Sequence, residues 1–555
     1  MNPVPTPAST ATETQPDQVG APVSRRDVVI LICWLLACGG LVFARGFGTP
    51  YSYDDIAHLQ ALATLRSGEM SFFSWFFLNH NEHIVPLLRL YYMVGTRISG
   101  LSSAATHVLI FLNYIVGAFA CAWISLSLTR SRLGAFLAGT IFAGAGGCAG
   151  SIVWQSTDAQ FSVAGTPLIL AIAILVSPLA RRRWSNVAVL LLIVVSAMGM
   201  GGIVVAALSI PLYLFLARPG TMATARRWWM IGLSLSLSGV LLLITSWLMA
   251  RHGIHGPKFT MAGVRYGLFL VLLTPGRFLM TWTPFEDPAL PTAVALSVAG
   301  WLLLIASVRW VPKPLRTLLL SLWVGNGLLA VLIGIGRYNI FTYPDLFHTD
   351  RYHYFFLLPL ALQTAAILDR LTRRLLQKTT PPWRGAVIGA LGCAMLAALV
   401  MSHIRMGKGI LWPTIAEYKT EFREAKVLAK IVRRVAAGQN LHLADGPIRF
   451  PGTLDEHLGF SAIIFAQFPK GLPGVVWSLS SIPTASVGWP YRVRPISDAD
   501  AAVQNQIFDE WSKRINRPPY TCVIGGKVHD VLPVSSCAEA AKMSPPPIAP
   551  PKPFN

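Results

Sequence analysis

The sequence predicts an all-α polytopic membrane protein of about 11 transmembrane helices, with interfacial helices and a C-terminal mixed α/β soluble domain. Three observations predict it. The 555-residue chain is 53% hydrophobic and only 13% charged, where a soluble domain is about a quarter charged, and its mean hydropathy is +0.53. Apolar stretches near the ~20 residues that cross a bilayer recur as far as residue 404. Small groups of Lys and Arg sit beside them: Arg25 and Arg26, Arg130 and Arg132, Arg181 to Arg183, Arg226 and Arg227, Lys313 and Arg316, Arg373 and Arg374.

These clusters thread the chain, because Lys and Arg in short loops mark the cytoplasmic side. Residues 1–24 are rich in Pro, Thr and Ala, have no apolar periodicity, and read as a disordered cytoplasmic tail. Arg25 and Arg26 hold the start of the first helix, about Val28 to Phe43, inside. The chain then emerges at Arg45 into a first exterior loop, 45–105. The stretch "LLACGG", Leu35 to Gly40, has the look of a lipoprotein cleavage box at Cys38. Small residues are common in membrane spans, and the helix is read as retained.

Ile84 to Ile98 decides the topology. Counted as a span, it flips every later basic cluster to the exterior. It is short and carries Pro86, Arg89 and Arg97, which suits a helix lying on the membrane surface. Tyr266 to Trp282, with Pro275 and Arg277, is read the same way. The spans are then 27–43, 106–128, 133–153, 161–179, 185–199, 201–217, 228–250, 290–310, 317–336, 354–371 and 385–404. "SAMGMGGIV", Ser196 to Val204, reads as a tight hairpin; one long kinked helix is the alternative.

The membrane domain therefore covers 25–404, with an odd number of spans and an exterior C-terminus. From residue 405 the composition changes. Ile415 to Gly438 alternates charged and apolar residues at helical spacing, and "NLHLADGPI" and "YTCVIGG" read as strands. Residues 405–544 are predicted to form the exterior soluble domain and 545–555 a Pro-rich tail. Of seven cysteines, Cys33, Cys38, Cys121, Cys148 and Cys393 lie in apolar stretches and read as packing residues. Cys522 and Cys537 lie outside, where an oxidising compartment permits a disulfide.

The net charge of +21 forms no basic stripe interleaved with aromatics, so nucleic acid is not an expected partner. No P-loop, GxGxxG, zinc-type CxxC or internal repeat is present, which leaves an ATP-driven pump unsupported.

Chemistry concentrates in the first exterior loop. Asp54 and Asp55 open an amphipathic stretch, "DDIAHLQALATLR". A Ser-Gly break, the aromatic run "FFSWFF", the polar knot "NHNEHI" and "VPLLRLYYMVGTRISG" follow. Charge at a bilayer surface is costly and is commonly functional. The order of acidic pair, surface helix, and "NEHIVPLLRLYY" before the second span resembles the GT-C glycosyltransferases, membrane enzymes that use polyprenyl-phosphate sugars. The layout is most like the branch of protein O-mannosyltransferases and the lipid A aminoarabinose transferase. Two departures stand out. Asp55 replaces the family's Glu, and the double proline of the second element is absent.

The resemblance implies an inverting sugar transfer from a polyprenyl-phosphate donor, with Asp54 as base and Asp55 as its partner or a metal ligand. The helix N-terminus favours an ionised carboxylate there. The plainer reading is that the pair caps a surface helix. Glu82 and His83 are substrate-binding candidates and, with Asp55, candidate ligands of a divalent metal; His80 reads as part of a polar turn. A late exterior loop, "GRYNIFTYPDLFHTDRYHYFF", brings Arg337, Asp345, His348, Asp350, Arg351, Tyr352 and His353 to the membrane edge. GT-C enzymes use such a loop for the lipid phosphate, so Arg351 and Tyr352 are donor-binding candidates. Otherwise they anchor a helix at the interface.

The expected protein is thus a bacterial inner-membrane glycosyltransferase with a periplasmic active site. Its partners are membrane lipids, a polyprenyl-phosphate-linked sugar, and a periplasmic lipid, glycan or protein acceptor. A transporter or flippase of lipid-linked glycan is the rival from another class. It predicts midplane charges and inverted repeats, which are not seen. A glycan polymerase or ligase is a further alternative.

Overall fold

The computed structural model describes residues 24–408 apart from 45, 50, 52–53, 67, 69, 81–82, 101, 147–158, 183, 218–221, 252–258, 286 and 339–341, together with 448–449, 521–523 and 531–533. Helix α1 (Arg25–Phe43) starts on a capping box: the Ser24 hydroxyl accepts from the Asp27 N–H, and the Asp27 carboxylate accepts from the Ser24 N–H. It runs unbroken through the buried Cys38, with no interruption at the lipoprotein-like box.

The first loop holds α2 (Asp54–Arg66), α3 (Phe72–Phe76), a hairpin of β1 (Asn79–His80) and β2 (His83–Ile84), and α4 (Pro86–Ser99). Then follow α5 (Ala104–Thr129), α6 (Arg132–Gly144), α7 (Ala159–Val176), α8 (Ser185–Gly199), a 3-10 segment Gly201–Leu208 continuing into α9 (Ser209–Ala217), and α10 (Thr224–Arg251). The bundle is completed by α11 (Met261–Met280), α12 (Leu290–Ser307), α13 (Lys313–Arg337), the short α14 (Tyr343–His348) and α15 (Asp350–His353), α16 (Leu357–Lys378) and α17 (Pro381–Lys408). Among the described residues, eight helices are long and apolar enough to cross a membrane, and three shorter apolar ones accompany them. Eight of the predicted spans fall on the long helices, and the predicted spans 133–153, 185–199 and 201–217 fall on the shorter ones, the first of which ends at Gly144. The chain is a multi-pass membrane protein.

Side-chain bonds show which helix ends lie together. At one end Arg132 pairs with Asp27 at 3.6 Å, and Asp369 accepts from Ser131 and Arg373. Arg370 reaches the Trp310 carbonyl there. The basic clusters therefore gather on one side. At the opposite end Ser103 bonds the Thr49 carbonyl at 2.5 Å, and Tyr51 bonds Thr106 at 2.8 Å. The first loop leaves and re-enters the bundle at that end, so α4 does not cross. Its buried face carries Leu88, Arg89, Tyr92, Gly95 and Thr96, while Val94, Arg97 and Ile98 are exposed.

The Ser196–Val204 hairpin is also present. Arg226, at the start of α10, bonds Ser185, Asn186 and the Arg182 carbonyl at the start of α8. The chain has gone out along α8 and returned through α9.

Helix α11 is read as a helix that does not cross, and it is not among the helices long and apolar enough to do so. Its first turns pack antiparallel against the last turns of α13. A Cβ on Gly263 would lie 2.6 Å from Ile335 Cα, and one on Gly334 would lie 2.3 Å from the Gly267 nitrogen. Glycines allow this backbone approach, and at the other end of α11 Arg277 meets Asp287 of the following loop.

Beyond residue 408, β3 (Ile448–Arg449) pairs in parallel with β4 (Thr521–Val523), which pairs antiparallel with β5 (Val531–Pro533). β4 falls within the run "YTCVIGG", whereas β3 shares only Ile448, the last residue of "NLHLADGPI". The remainder of the predicted α/β domain, the Ile415–Gly438 helix, Cys148, Cys537 and both tails lie outside the described residues.

Candidate active site

The acidic pair sits where α2 begins, and the helix opens on Asp54 itself. The Asp54 side chain is outside the described residues. Asp55 is only 2% exposed, and the Tyr92 phenol donates a hydrogen bond to its Oδ1. His58, one turn along α2, stacks on the Tyr92 ring at 4.9 Å between centroids and 26° between planes. Tyr51 lies 5.9 Å from the same ring and bonds Thr106 at the start of α5. Burial first, and then the Asp55 charge, push the Tyr51 phenol above its usual range, against a lowering by the Thr106 bond. Gly95 makes this packing feasible, since a Cβ there would lie 2.0 Å from Thr106 Oγ1.

The polar knot is the β1–β2 hairpin, with His80 opposite His83. The side chains of His80, Glu82 and His83 are outside the described residues. Arg89 of α4 braces the approach to the hairpin by donating to the Leu78 carbonyl at 3.1 Å. Burial lowers its guanidinium to about 10, so it remains a cation at neutral pH. No group of three His, Cys, Asp or Glu side chains suited to a metal occurs among the described residues. Of the expected metal ligands, only the Asp55 side chain is described, and Tyr92 engages one of its oxygens.

In the late loop, Arg351 is half-buried with its guanidinium 5.2 Å from the Tyr352 ring centroid. Tyr352 is buried edge-on against Phe161. The side chains of Asp345, His348 and Asp350 are outside the described residues. His353 is fully buried and plays a packing part: Nε2 donates to the Leu346 carbonyl at 2.9 Å, and Nδ1 lies 3.0 Å from the Thr274 hydroxyl. No contact between Arg351 and Asp55 is described. They are linked through α5, where Thr106 meets Tyr51 and Tyr114 lies against Tyr354, positions about 12 Å apart along a helix.

A third group went unread in the sequence. Arg277 of α11 and Arg405 of α17 both donate to Asp287 Oδ1, and Arg405 also bonds the Phe285 carbonyl. The two arginines are 4% and 7% exposed. The Arg277 guanidinium lies 5.6 Å from the Phe347 ring, so the group adjoins the late loop.

No family model matches the chain, and no curated protein matches it. Among solved structures, ArnT from Cupriavidus metallidurans in the apo state is similar over 86% of this chain and 90% of its own, with a TM-score of 0.50 and 12% identity. The same protein bound to undecaprenyl phosphate gives a TM-score of 0.45 at 12% identity, over 87% and 91% of the two chains.

The chain has an ArnT-like fold. On this ArnT-like scaffold the acidic pair, the late loop and the Arg277 group come from segments far apart in sequence. Two signals pointed to His58 and to the Arg277 group, which sequence reasoning missed. Asp55 and His58 are spaced for one helix face, and Arg277 interrupts an apolar stretch that has an acidic residue ten positions on.

Proposed function

We propose that this protein is an integral-membrane glycosyltransferase that moves a sugar from a polyprenyl-phosphate donor to an acceptor hydroxyl, with inversion. The observation that carries the reading is the acidic helix start in the first loop, at the bundle end opposite the basic clusters, on an ArnT-like fold. ArnT has been solved bound to a lipid phosphate of the proposed donor's class. By the positive-inside rule the basic end is cytoplasmic. The acidic end and the C-terminal domain then face the periplasm of a bacterial inner membrane, where the acceptor would be a lipid, glycan or protein.

In the proposed reaction Asp54, ionised at the positive end of α2, takes the acceptor's hydroxyl proton. The acceptor oxygen bonds to the anomeric carbon as the sugar–phosphate bond breaks on its opposite face. Polyprenyl phosphate leaves with the bonding electrons, and Arg351 offsets its charge. Tyr352 supports the guanidinium with its ring. Glu82 and His83, at the hairpin between α3 and α4, would orient the acceptor.

A strain lacking the protein should accumulate a polyprenyl-phosphate sugar detectable by mass spectrometry, and the purified protein should consume that lipid. Unchanged lipid pools and no consumption would remove the reading. Arg351→Ala should weaken donor binding by roughly ten- to a hundredfold, the worth of one charge-assisted hydrogen bond. Arg351→Lys should lose less, because it keeps the charge without the bidentate fork. A donor titration that leaves Arg351→Ala unchanged would return Arg351 to an anchoring role.

A further inference from the structure

We propose that Tyr92, backed by the stacked imidazole of His58, is a positioning residue for this transfer. It fixes the Asp55 carboxylate, and through it the first turn of α2, so that the carboxylate at position 54 is presented at a constant place at the membrane edge. The inference rests on the transferase reading of the same loop and names residues which that reading does not use.

The first turn of a helix is its least secured part, because its N–H groups lack intrahelical partners. α2 has only 13 residues, a length at which an isolated helix is marginal in water. A base on such a turn moves with it unless something outside the helix holds it. Asp55, in that turn, is buried. Burying a carboxylate is costly unless it is hydrogen-bonded, and Tyr92 supplies a bond from a fully buried phenol.

Tyr92 is itself held. Its carbonyl accepts from the Thr96 hydroxyl at 2.7 Å. Its ring lies against His58 and Tyr51. One turn on, Gly95 sits directly against Thr106 of α5. A continuous path therefore runs from a membrane span, through α4, to Asp55. Arg66 ties the far end of α2 to the same helix by donating to Thr96 at 3.0 Å. Phenylalanine would preserve all the ring packing at position 92; only tyrosine brings an O–H to the carboxylate.

The test pairs kinetics with hydrogen exchange. Tyr92→Phe should lower kcat by about tenfold or more, the worth of a hydrogen bond to a charged group, with donor KM little changed. In an Asp55→Asn background the same change should cost almost nothing further, because Tyr92 acts through Asp55. His58→Ala should reproduce part of the loss, and His58→Phe, which keeps a stacked ring, should recover it. Amides 58–60, which bond to the carbonyls of residues 54–56, should exchange faster in Tyr92→Phe. Should that variant fail to fold, Asp55→Asn gives the same exchange comparison with the Tyr92 ring in place. Wild-type kcat in Tyr92→Phe, an equal cost in both backgrounds, or unchanged exchange would overturn the proposal. An inactive wild-type protein would remove the transferase reading, while the exchange result would still decide whether Tyr92 secures α2.

Discussion

Replacing Asp54 with asparagine is expected to abolish sugar transfer while leaving the protein folded in the membrane. Asparagine keeps the shape and the hydrogen-bonding oxygen of the side chain, and it is as good as aspartate at a helix start. What it loses is basicity. An amide cannot take the acceptor's proton, and a positioned general base is worth roughly a hundred- to ten-thousandfold in rate. The melting temperature should barely move, because asparagine keeps the size and the capping oxygen of the side chain at this helix start. Asp55→Asn should behave differently. That carboxylate is buried against Tyr92, so its loss should lower both rate and stability. Transfer by purified Asp54→Asn at near wild-type rate would sink the assignment. A dead Asp55→Asn with unchanged melting, beside an active Asp54→Asn, would exchange the two roles.

Much of the fold was legible because membrane physics constrains it tightly. A span must be apolar for about 20 residues, and loop charge sets its direction. The side-chain bonds at the bundle's two ends agree with that threading. Arg132 meets Asp27 and Arg370 meets the Trp310 carbonyl at one end, while Ser103 meets Thr49 at the other. In α11, Arg277 and Pro275 mark a helix that is not among those long and apolar enough to cross. Its partners were less legible, because they are the glycine face of a helix distant in sequence and a charge on the following loop.

The same distinction holds at the site. Asp54 and Asp55 announced themselves as charge beside a bilayer. Tyr92 did not, since one tyrosine among apolar residues of an amphipathic helix gives no local sign of what its hydroxyl meets. His353 shows the same limit from the other side, since its ring nitrogens face Thr274 and Leu346 inside the bundle although the sequence places it beside Arg351. Composition can say that a polar residue lies near the membrane edge. Tertiary packing decides whether it faces the cleft or the core.

Asp287 carries the largest expected effect on stability. Its carboxylate is shared by Arg277 and Arg405, from two helices separated by most of the second half of the bundle. Removing it leaves two almost fully buried guanidinium groups facing each other without their common counter-charge. Breaking a buried ion pair from one side costs about 3–5 kcal/mol, and here two like charges are left behind. Asp287→Ala should therefore lower the thermal stability of the purified protein sharply and loosen the exit of α17 toward residue 409. The late loop should respond as well, because Arg277 packs on Phe347; donor affinity should fall along with stability. Removing a positive charge at the same time separates this account from simple loss of packing. Asp287→Ala combined with Arg405→Met should be more stable than Asp287→Ala alone, since an apolar side chain of similar length takes away one of the two like charges that Asp287 holds together. Melting curves of the two variants in the same detergent decide it. Equal stability of the two, or a wild-type melting temperature in Asp287→Ala, would show that the charge balance at this junction does not hold α11, the 281–289 loop and α17 together.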